Sequence, residues 1–357
     1  AFEGGLDGQL DLGGSLSRPE LIGEVALAAD RVALVTPGLE LTAVRAALVG
    51  QGNRVQLDAG ATSGEGTVEA GGTIGFGGDS PTVDLMVRGD RFLAMDTRDA
   101  RVLVSPDLTI GMSADRIDVT GTVTVPEADI TPRELPAGSA VTVSDDQVIV
   151  SADNQPGAAG RALHANVTLV LGDAVHFEGF GLTADIAGDL RVRQQPGDPP
   201  TGTGELRVTE GRYKAYGQDL DIQRGRVLFA GGPVTQPGLD VRAVRRPATD
   251  ILVGVQVRGN LRTPDFTLYS EPGMGQSEQL SWLLLGRPLD GASSSEASLV
   301  SRAALALGLK GGNTLVKSVG DRLGLDEIGI DSAPGTTGEQ AALMVGKWLT
   351  PRLYVNY

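Results

Sequence analysis

The sequence predicts a mainly β protein built on a long sheet of antiparallel type, with a small helical insertion near the C-terminus. Three observations carry that expectation. From Gly204 to Phe229 the apolar residues fall on every second position: Leu206 and Val208, Tyr213 and Ala215, Leu220 and Ile222, Val227 and Phe229. Glu210-Gly211, Tyr216-Gly217-Gln218 and Arg224-Gly225 interrupt them with turn chemistry, so the stretch reads as short strands joined by hairpins. Second, aromatics make up only 4% of the chain and Gly (51) and Pro (19) are abundant, which suits a thin aliphatic layer better than a thick core filled with rings. Third, the period changes after Ser277, where helix signals replace alternation.

Taken in order, residues 1–100 read as N-terminal strands. Leu10 and Leu12, Val25 and Leu27, Val32 and Leu34, Val55 and Leu57, then Val83, Leu85 and Val87 alternate with polar neighbours, a loose strand–turn–strand unit without a fixed sequence repeat. Residues 101–275 form the strongest β region. Ile117, Val119, Val123 and Val125 make one strand, and the segment from Ile130 to Val141 is a Pro-rich crossing, because Pro132 and Pro136 cannot donate to an interior ladder. Strand resumes from Val141 to Val150, with a loose loop from Ser151 to Arg161. Leu163 to Leu171, Val175 and Phe177, Leu182 to Ile186, and Leu190 with Val192 follow, then a second loose loop from Gln194 to Gly204. Residues 276–324 hold the helical insertion: Glu278–Leu285 capped by Ser277 and closed by Gly286, Glu296–Leu309 capped by Ser294 or Ser295, and Thr314–Leu323 stopped by Gly324. Strands return in residues 325–357, at Leu325–Ile330, Ala342–Leu349 and Arg352–Tyr357.

Composition removes several functions. A formal net charge of −15 offers no basic stripe for nucleic acid and disfavours adhesion to anionic headgroups by surface charge. Zero Cys rules out disulfides, thiolate nucleophiles and Cys-based metal sites, and fits either redox compartment. No targeting signal is visible, and no apolar run nears the ~18 residues that a membrane helix needs. The absent Met and the end at Tyr357, inside a strand pattern, suggest a piece of a longer protein.

No enzyme constellation emerges. His164 and His176 sit in separate strands without further ligands at metal spacing, so solvated surface is the simpler account. Asp145-Asp146 and Asp326-Glu327 are adjacent carboxylates that point to opposite faces of a strand rather than converging on one bond. The phosphate-loop pattern is missing, since Ala341 stands where the first Gly before Gly346-Lys347 would be. Arg242, Arg245 and Arg246 form a cluster suited to a headgroup phosphate, with pairing to Asp240 or Asp250 as the plainer alternative.

The segment from Gly202 to Gly232, followed by Pro237–Arg246, resembles the TamB C-terminal domain family, within the wider AsmA-like group of bridge-forming envelope proteins. Leu103–Ile110, Gly121–Pro132, Leu268–Leu289, Leu323–Ile330 and Gly346–Tyr357 support the likeness in the same order, while residues 8–98 fit only generically. The resemblance implies a sheet curled into a U-shaped trough (a β-taco) with an apolar interior. It further implies a periplasmic location, an inner-membrane anchor outside this stretch, and an outer-membrane barrel partner, TamA or a BamA-like protein. The implied function is passage of phospholipids between the inner and outer membranes, with an older assignment to assembly of outer-membrane proteins. The family's pattern continues beyond Tyr357, which puts docking to the barrel in question for this chain.

The aliphatic pattern supports a trough independently. Some two dozen strands spaced about 4.8 Å apart would span on the order of 100 Å. Each methylene sheltered from water contributes about 0.8 kcal/mol, so acyl chains gain much by entering and little at any one point along a uniform lane. The expected lipid-facing residues are Val119, Val123, Val125, Val167, Leu169, Leu171, Ile186, Leu206, Val208, Leu220, Ile222, Val227, Phe229, Val241, Ile251, Val253, Val255, Val257, Phe266 and Leu268. No cofactor, metal or catalytic residue is expected. Three readings compete: a phospholipid conduit; an assembly factor for barrel proteins and autotransporters that pairs its strand edge with a partner through Leu343, Val345, Leu353 and Val355; and, third, a β-solenoid passenger with a filled core. Val255→Asp or Ile222→Asp is expected to cut lipid capture while sparing partner binding.

Overall fold

The computed structural model describes residues 2–15, 18–34, 38–77, 80–133, 161–215, 217–288, 290, 293, 296, 299–300, 302–304, 327–331, 342–350 and 353–356. The protein is mainly β. Its strands are β1 (Phe2–Ser15), β2 (Arg18–Leu34), β3 (Leu39–Gly52), β4 (Arg54–Ser63), β5 (Gly66–Gly75), β6 (Thr82–Asp90), β7 (Phe92–Asp96), β8 (Ala100–Met112), β9 (Arg116–Ile130), β10 (Ala162–Gly179), β11 (Leu182–Gln194), β12 (Thr201–Ala215), β13 (Gln218–Pro233), β14 (Gly238–Ala248), β15 (Ile251–Asn260) and β16 (Pro264–Glu271). Helix α1 (Gln276–Leu285) follows, then β17 (Glu327–Asp331), β18 (Ala342–Thr350) and β19 (Leu353–Asn356).

Sixteen strands share one sheet in chain order from β1 to β16, with β7 off the path and paired to β8. Strands β17, β18 and β19 make a second, three-stranded sheet. The large sheet is mixed: β9 and β10 run parallel, whereas β1 to β6, β8 with β6, β7 and β9, β10 with β11, and β14 to β16 pair antiparallel. A parallel pair needs a crossover connection, and β9 ends at Ile130 whereas β10 begins only at Ala162. The expected strand at Val141–Val150 and the helix at Thr314–Leu323 lie outside the described residues.

Two expectations about punctuation are corrected. Glu210-Gly211 and Arg224-Gly225 are not turns: Gly211 lies inside the 15-residue β12 and Gly225 inside the 16-residue β13. Glycine within a strand marks a bend or close approach as readily as a turn. The turn between β12 and β13 holds Gly217, which takes φ 74°. Strands therefore run to 18 residues (β10), well beyond the short segments expected, and the described strands number fewer than two dozen. Ser277 does not cap α1; the helix starts at Gln276 with Gly275 as its N-cap and no side-chain cap. Its other end is as expected, with Gly286 in the left-handed region at φ 71° and its N–H donating to the Trp282 carbonyl. Ser293 caps the next helical segment, while Ser294 and Ser295, the caps expected from sequence, lie outside the described residues. The Ser293 Oγ accepts from the Glu296 N–H at 3.4 Å while Glu296 Oε2 accepts from the Ser293 N–H at 2.8 Å, a capping box. Helical turns continue at 299–300 and 302–304.

The chain divides into two compact units, Ala1–Glu210 with Val227–Pro237, and Gly211–Arg226 with Gly238–Tyr357. Among the described residues the first unit is strand and turn only. Its strands are broken at one level. The register slips at Thr42/Arg45 of β3, the path breaks at Arg91 between β6 and β7, and further slips lie opposite Leu103/Ser105 of β8 and at Leu171/Ala174 of β10. Bulges bend strands and increase their twist. Beyond that level, β7 crosses the ends of neighbouring strands, with Leu93 packed against Leu39 and Leu103.

Candidate functional site: apolar faces of the sheet

In the first unit the register carries one apolar face from strand to strand. Leu6 pairs with Leu27, Leu27 with Ala46, and Val25 with Leu48. Leu48 pairs with Leu57, Val55 with Ile74, Ile74 with Val83, and Ala70 with Val87. Leu85 then meets Ile110, Ile110 meets Val119, Val119 meets Ala165, and Val167 meets Val192. Directly opposed residues share a face, so these pairs are steps of one lane. The interleaved positions are polar: Asp84 pairs with Gly111, Gly111 with Asp118, and Arg88 with Asp107. At about 4.8 Å per strand, the ten strands from β1 to β11 on the sheet path extend this lane on the order of 40 Å.

Most side chains along the lane are neither buried nor free. Leu57, Ile74, Leu85, Ile110, Val119, Val123 and Val167 are half-buried, whereas Leu6 and Leu12 on terminal strand β1 are 69% and 76% exposed. Such a face is continuous from strand to strand, unlike the singly scattered apolar residues of an ordinary surface. Where the strands bend, the face folds toward itself. Val125, Leu169 and Leu171 before the bulges share a cluster with Ala128, Ile130 and Val175 beyond them. Both arms of the bent strands thus point their aliphatic side chains into the same angle.

The outer chemistry of this unit is structural. Glu127 accepts from Arg91 at 2.7 Å and Arg101 at 3.1 Å, clamping β9 to β8 and the β6–β7 break, and these guanidiniums hold its carboxyl below the usual range. His164 and His176 share one strand, β10, instead of lying in two, and His176 is half-buried with Nδ1 2.8 Å from Asp185 Oδ1 across the β10–β11 pair. Among the described residues no three His, Asp or Glu side chains gather in a metal-holding group. No helix among them is long and apolar enough to cross a bilayer.

The second unit presents the same kind of face, but covered. Val241, Ala243 and Arg245 of β14 oppose Val257, Val255 and Val253 of β15, which in turn oppose Phe266, Leu268 and Ser270 of β16. Helix α1 lies on that face. Leu280, Leu283 and Leu284 pack with Leu220, Ala243 and Val253, joined by Val300, Ala303 and Ala304 of the next helical segment and flanked by Ile222, Ile251, Val255, Phe266 and Leu268. Val253 is 0% exposed. Polar contacts fix the helix: Arg245 Nη1 donates to the Leu283 carbonyl at 2.8 Å, Gln218 Nε2 to the Leu284 carbonyl at 2.9 Å, and Gln279 Nε2 to Ser270 Oγ at 2.9 Å. Arg245 also donates to Gln218 Oε1, and burial pushes its guanidinium below the ordinary range.

The arginine cluster is dispersed. Arg242 is on the opposite face, 4.4 Å above the Tyr269 ring, Arg246 donates to the Thr249 carbonyl at 3.3 Å, and only Arg245 reaches the helix. Asp240 pairs instead with Arg224 (3.4 Å) and Arg258 (3.7 Å).

The first unit holds Val119, Val123, Val125, Val167, Leu169, Leu171, Ile186, Leu206, Val208, Val227 and Phe229 of the expected lipid-facing set; Leu220, Ile222, Val241, Ile251, Val253, Val255, Val257, Phe266 and Leu268 fall in the second. Leu343, Val345, Leu353 and Val355 lie in β18 and β19 of the small sheet. Missing from the set were the lane residues of β3 to β8, such as Leu57, Ile74, Leu85 and Ile110. Their period-two spacing was visible, but it gave no sign that distant strands share one face.

Several hundred residues of one-faced, aliphatic sheet now have a counterpart among known proteins. The TamB C-terminal domain profile matches residues 51–357, most of the chain. The chain belongs to the TamB family. The translocation and assembly module subunit TamB of Haemophilus influenzae is 28% identical over 367 residues, an alignment that covers 98% of this chain and 28% of that relative. The chain therefore spans little more than a quarter of that TamB protein's length.

Proposed function

We propose that this chain is a section of a lipid conduit in which phospholipid acyl chains lie along the apolar face of the first unit and move between the inner and outer membranes across the periplasm. One observation carries the reading: a register-continuous aliphatic lane, half-buried over most of its length, backed by a polar opposite face. Water pays acyl chains to leave it at about 0.8 kcal/mol per methylene, and the lane's uniform Val, Leu, Ile and Ala composition sets no deep trap along the way. The reading is non-enzymatic. Its partner in the envelope would be a TamA or BamA-like barrel, and the inner-membrane anchor would belong to the longer protein.

Val119→Asp and Val167→Asp place a carboxylate on adjacent strands of the lane. Each is expected to reduce phospholipid co-purifying with the full chain, measured by native mass spectrometry, with little change in far-UV circular dichroism. Undiminished lipid in folded variants would contradict the conduit. Val255→Asp and Ile222→Asp are less clean tests than the sequence suggested, because both residues pack against the cluster beneath α1 and their loss disturbs the helix contact.

A second reading rests on the small sheet. Strands β17 and β19 each pair only with β18 among the described residues, leaving backbone edges of the kind that accept a partner strand. An assembly role through Leu343, Val345, Leu353 and Val355 predicts that Val355→Pro abolishes capture of a TamA or BamA-like barrel while lipid content stays unchanged. Retained capture would remove this reading.

A further inference from the structure

The second unit carries an oddity that the conduit reading leaves unexplained. Arg245 stands on the apolar face, directly opposite Val253 and two residues from Ala243. A guanidinium placed among aliphatic side chains needs an anionic or strongly accepting partner. Here that partner is the C-terminal end of α1. Of its last carbonyls, Trp282's accepts from Gly286, Leu283's from Arg245 and Leu284's from Gln218. The helix macrodipole makes this end the negative one.

Viewed chemically, α1 offers the bed an apolar body (Leu280, Leu283, Leu284) with a negatively polarised end seated on an arginine. A phospholipid has the same two parts, hydrocarbon and an anionic phosphate, and Arg forks bind phosphate more strongly than neutral carbonyls. The helix's other end is held to β16 through Ser270 Oγ, which accepts from Gln279 Nε2 at 2.9 Å and from the Met274 N–H at 3.2 Å. Gly275 supplies no side-chain cap, and added Cβ atoms at Gly273 or Gly275 would meet nothing within 4 Å, so no neighbour crowds the linker at those two positions. Resting on the conduit reading, we infer that the bed of β14, β15 and β16 is a phospholipid site with Arg245 as its phosphate ligand, and that α1 is the resident competitor that a lipid displaces.

The chain has no Cys, so a Ser270→Cys/Gln279→Cys pair can be joined by a short bis-maleimide to tie α1 to β16 in the full chain. The probes are phosphatidylglycerol and diacylglycerol carrying the same photoactivatable acyl chain, with labelled peptides mapped by mass spectrometry. In the untied protein, phosphatidylglycerol is expected to label the peptides around Val253 and Leu268. Tying α1 is expected to abolish that labelling and leave the first unit's lane labelled. Arg245→Gln is expected to erase the preference for phosphatidylglycerol over diacylglycerol, a change of about tenfold, the worth of one charge-assisted hydrogen bond. Should that variant unfold, hydrogen exchange of wild-type α1 amides serves instead, and phosphatidylglycerol vesicles are expected to speed it. A bed that is never labelled while the lane is, labelling that ignores the tie, or exchange that ignores the vesicles would overturn the inference and leave the conduit standing. Loss of labelling with excess inorganic phosphate alone would make the site one for a free anion and also overturn it. Labelling at neither place would sink the conduit and the inference together.

Discussion

At the scale of single residues, the second unit depends on a few fully enclosed side chains. Leu280 fills the contact between α1 and the sheet beside Val253, so Leu280→Ala leaves a cavity and is expected to cost about 2–5 kcal/mol. The check is a lowered denaturant midpoint, with faster amide exchange in α1 than in β9. Glu296 gives a pH handle. The Ser293 N–H and Oγ together with Arg287 hold its carboxyl down to about 2. A depressed carboxyl stabilises the folded state above its ordinary value near 4.5 and loses that contribution as pH falls toward about 2. The helical segment it caps is therefore expected to loosen through that window, and Glu296→Gln to remove the pH dependence, both read by circular dichroism and amide exchange. The capping box was legible as a serine run ahead of Glu296. Which serine would be used was not, because three adjacent serines offer the same chemistry and only backbone placement selects Ser293.

At the scale of elements, strand existence was written in the period-two pattern, and strand length was not. Gly211 and Gly225 look like the turn residue Gly217 in sequence, yet they sit inside strands, where missing side chains permit bending. The parallel β9–β10 pair was likewise hidden, since its only sequence trace is the Pro-rich crossing at Pro132. Glycines within strands fall into two kinds that substitution can separate. Gly121 adopts φ 133°, and a Cβ there would be driven into the Asp107 carbonyl of β8, whereas a Cβ at Gly232 would meet nothing within 4 Å. Gly121→Ala is expected to destabilise by about 1–3 kcal/mol or more through backbone strain. Gly232→Ala is expected to be near neutral, and the two melting temperatures make the comparison.

For the molecule as a whole, the sheet faces matter more than any motif. Alternation at Leu57, Leu85 and Val119 announces a greasy face strand by strand, but the joining of those faces is a property of register, which turn lengths and bulges fix outside any local window. The helix over the second unit's face was legible as an insertion between Ser277 and Gly324. Its seat was not, since nothing in the spacing of Leu280, Leu283 and Leu284 says which strands they will cover. The family match assigns this architecture to the TamB C-terminal domain. The most direct test of the central claim is site-specific photocrosslinking of the full chain to phospholipid, with the photoreactive residue moved one position at a time: Leu57 and Asp58, Leu85 and Asp84, Val119 and Asp118. A lipid lane predicts capture at Leu57, Leu85 and Val119 and none at their neighbours on the opposite face. Equal capture on both faces, or none on either, would contradict it.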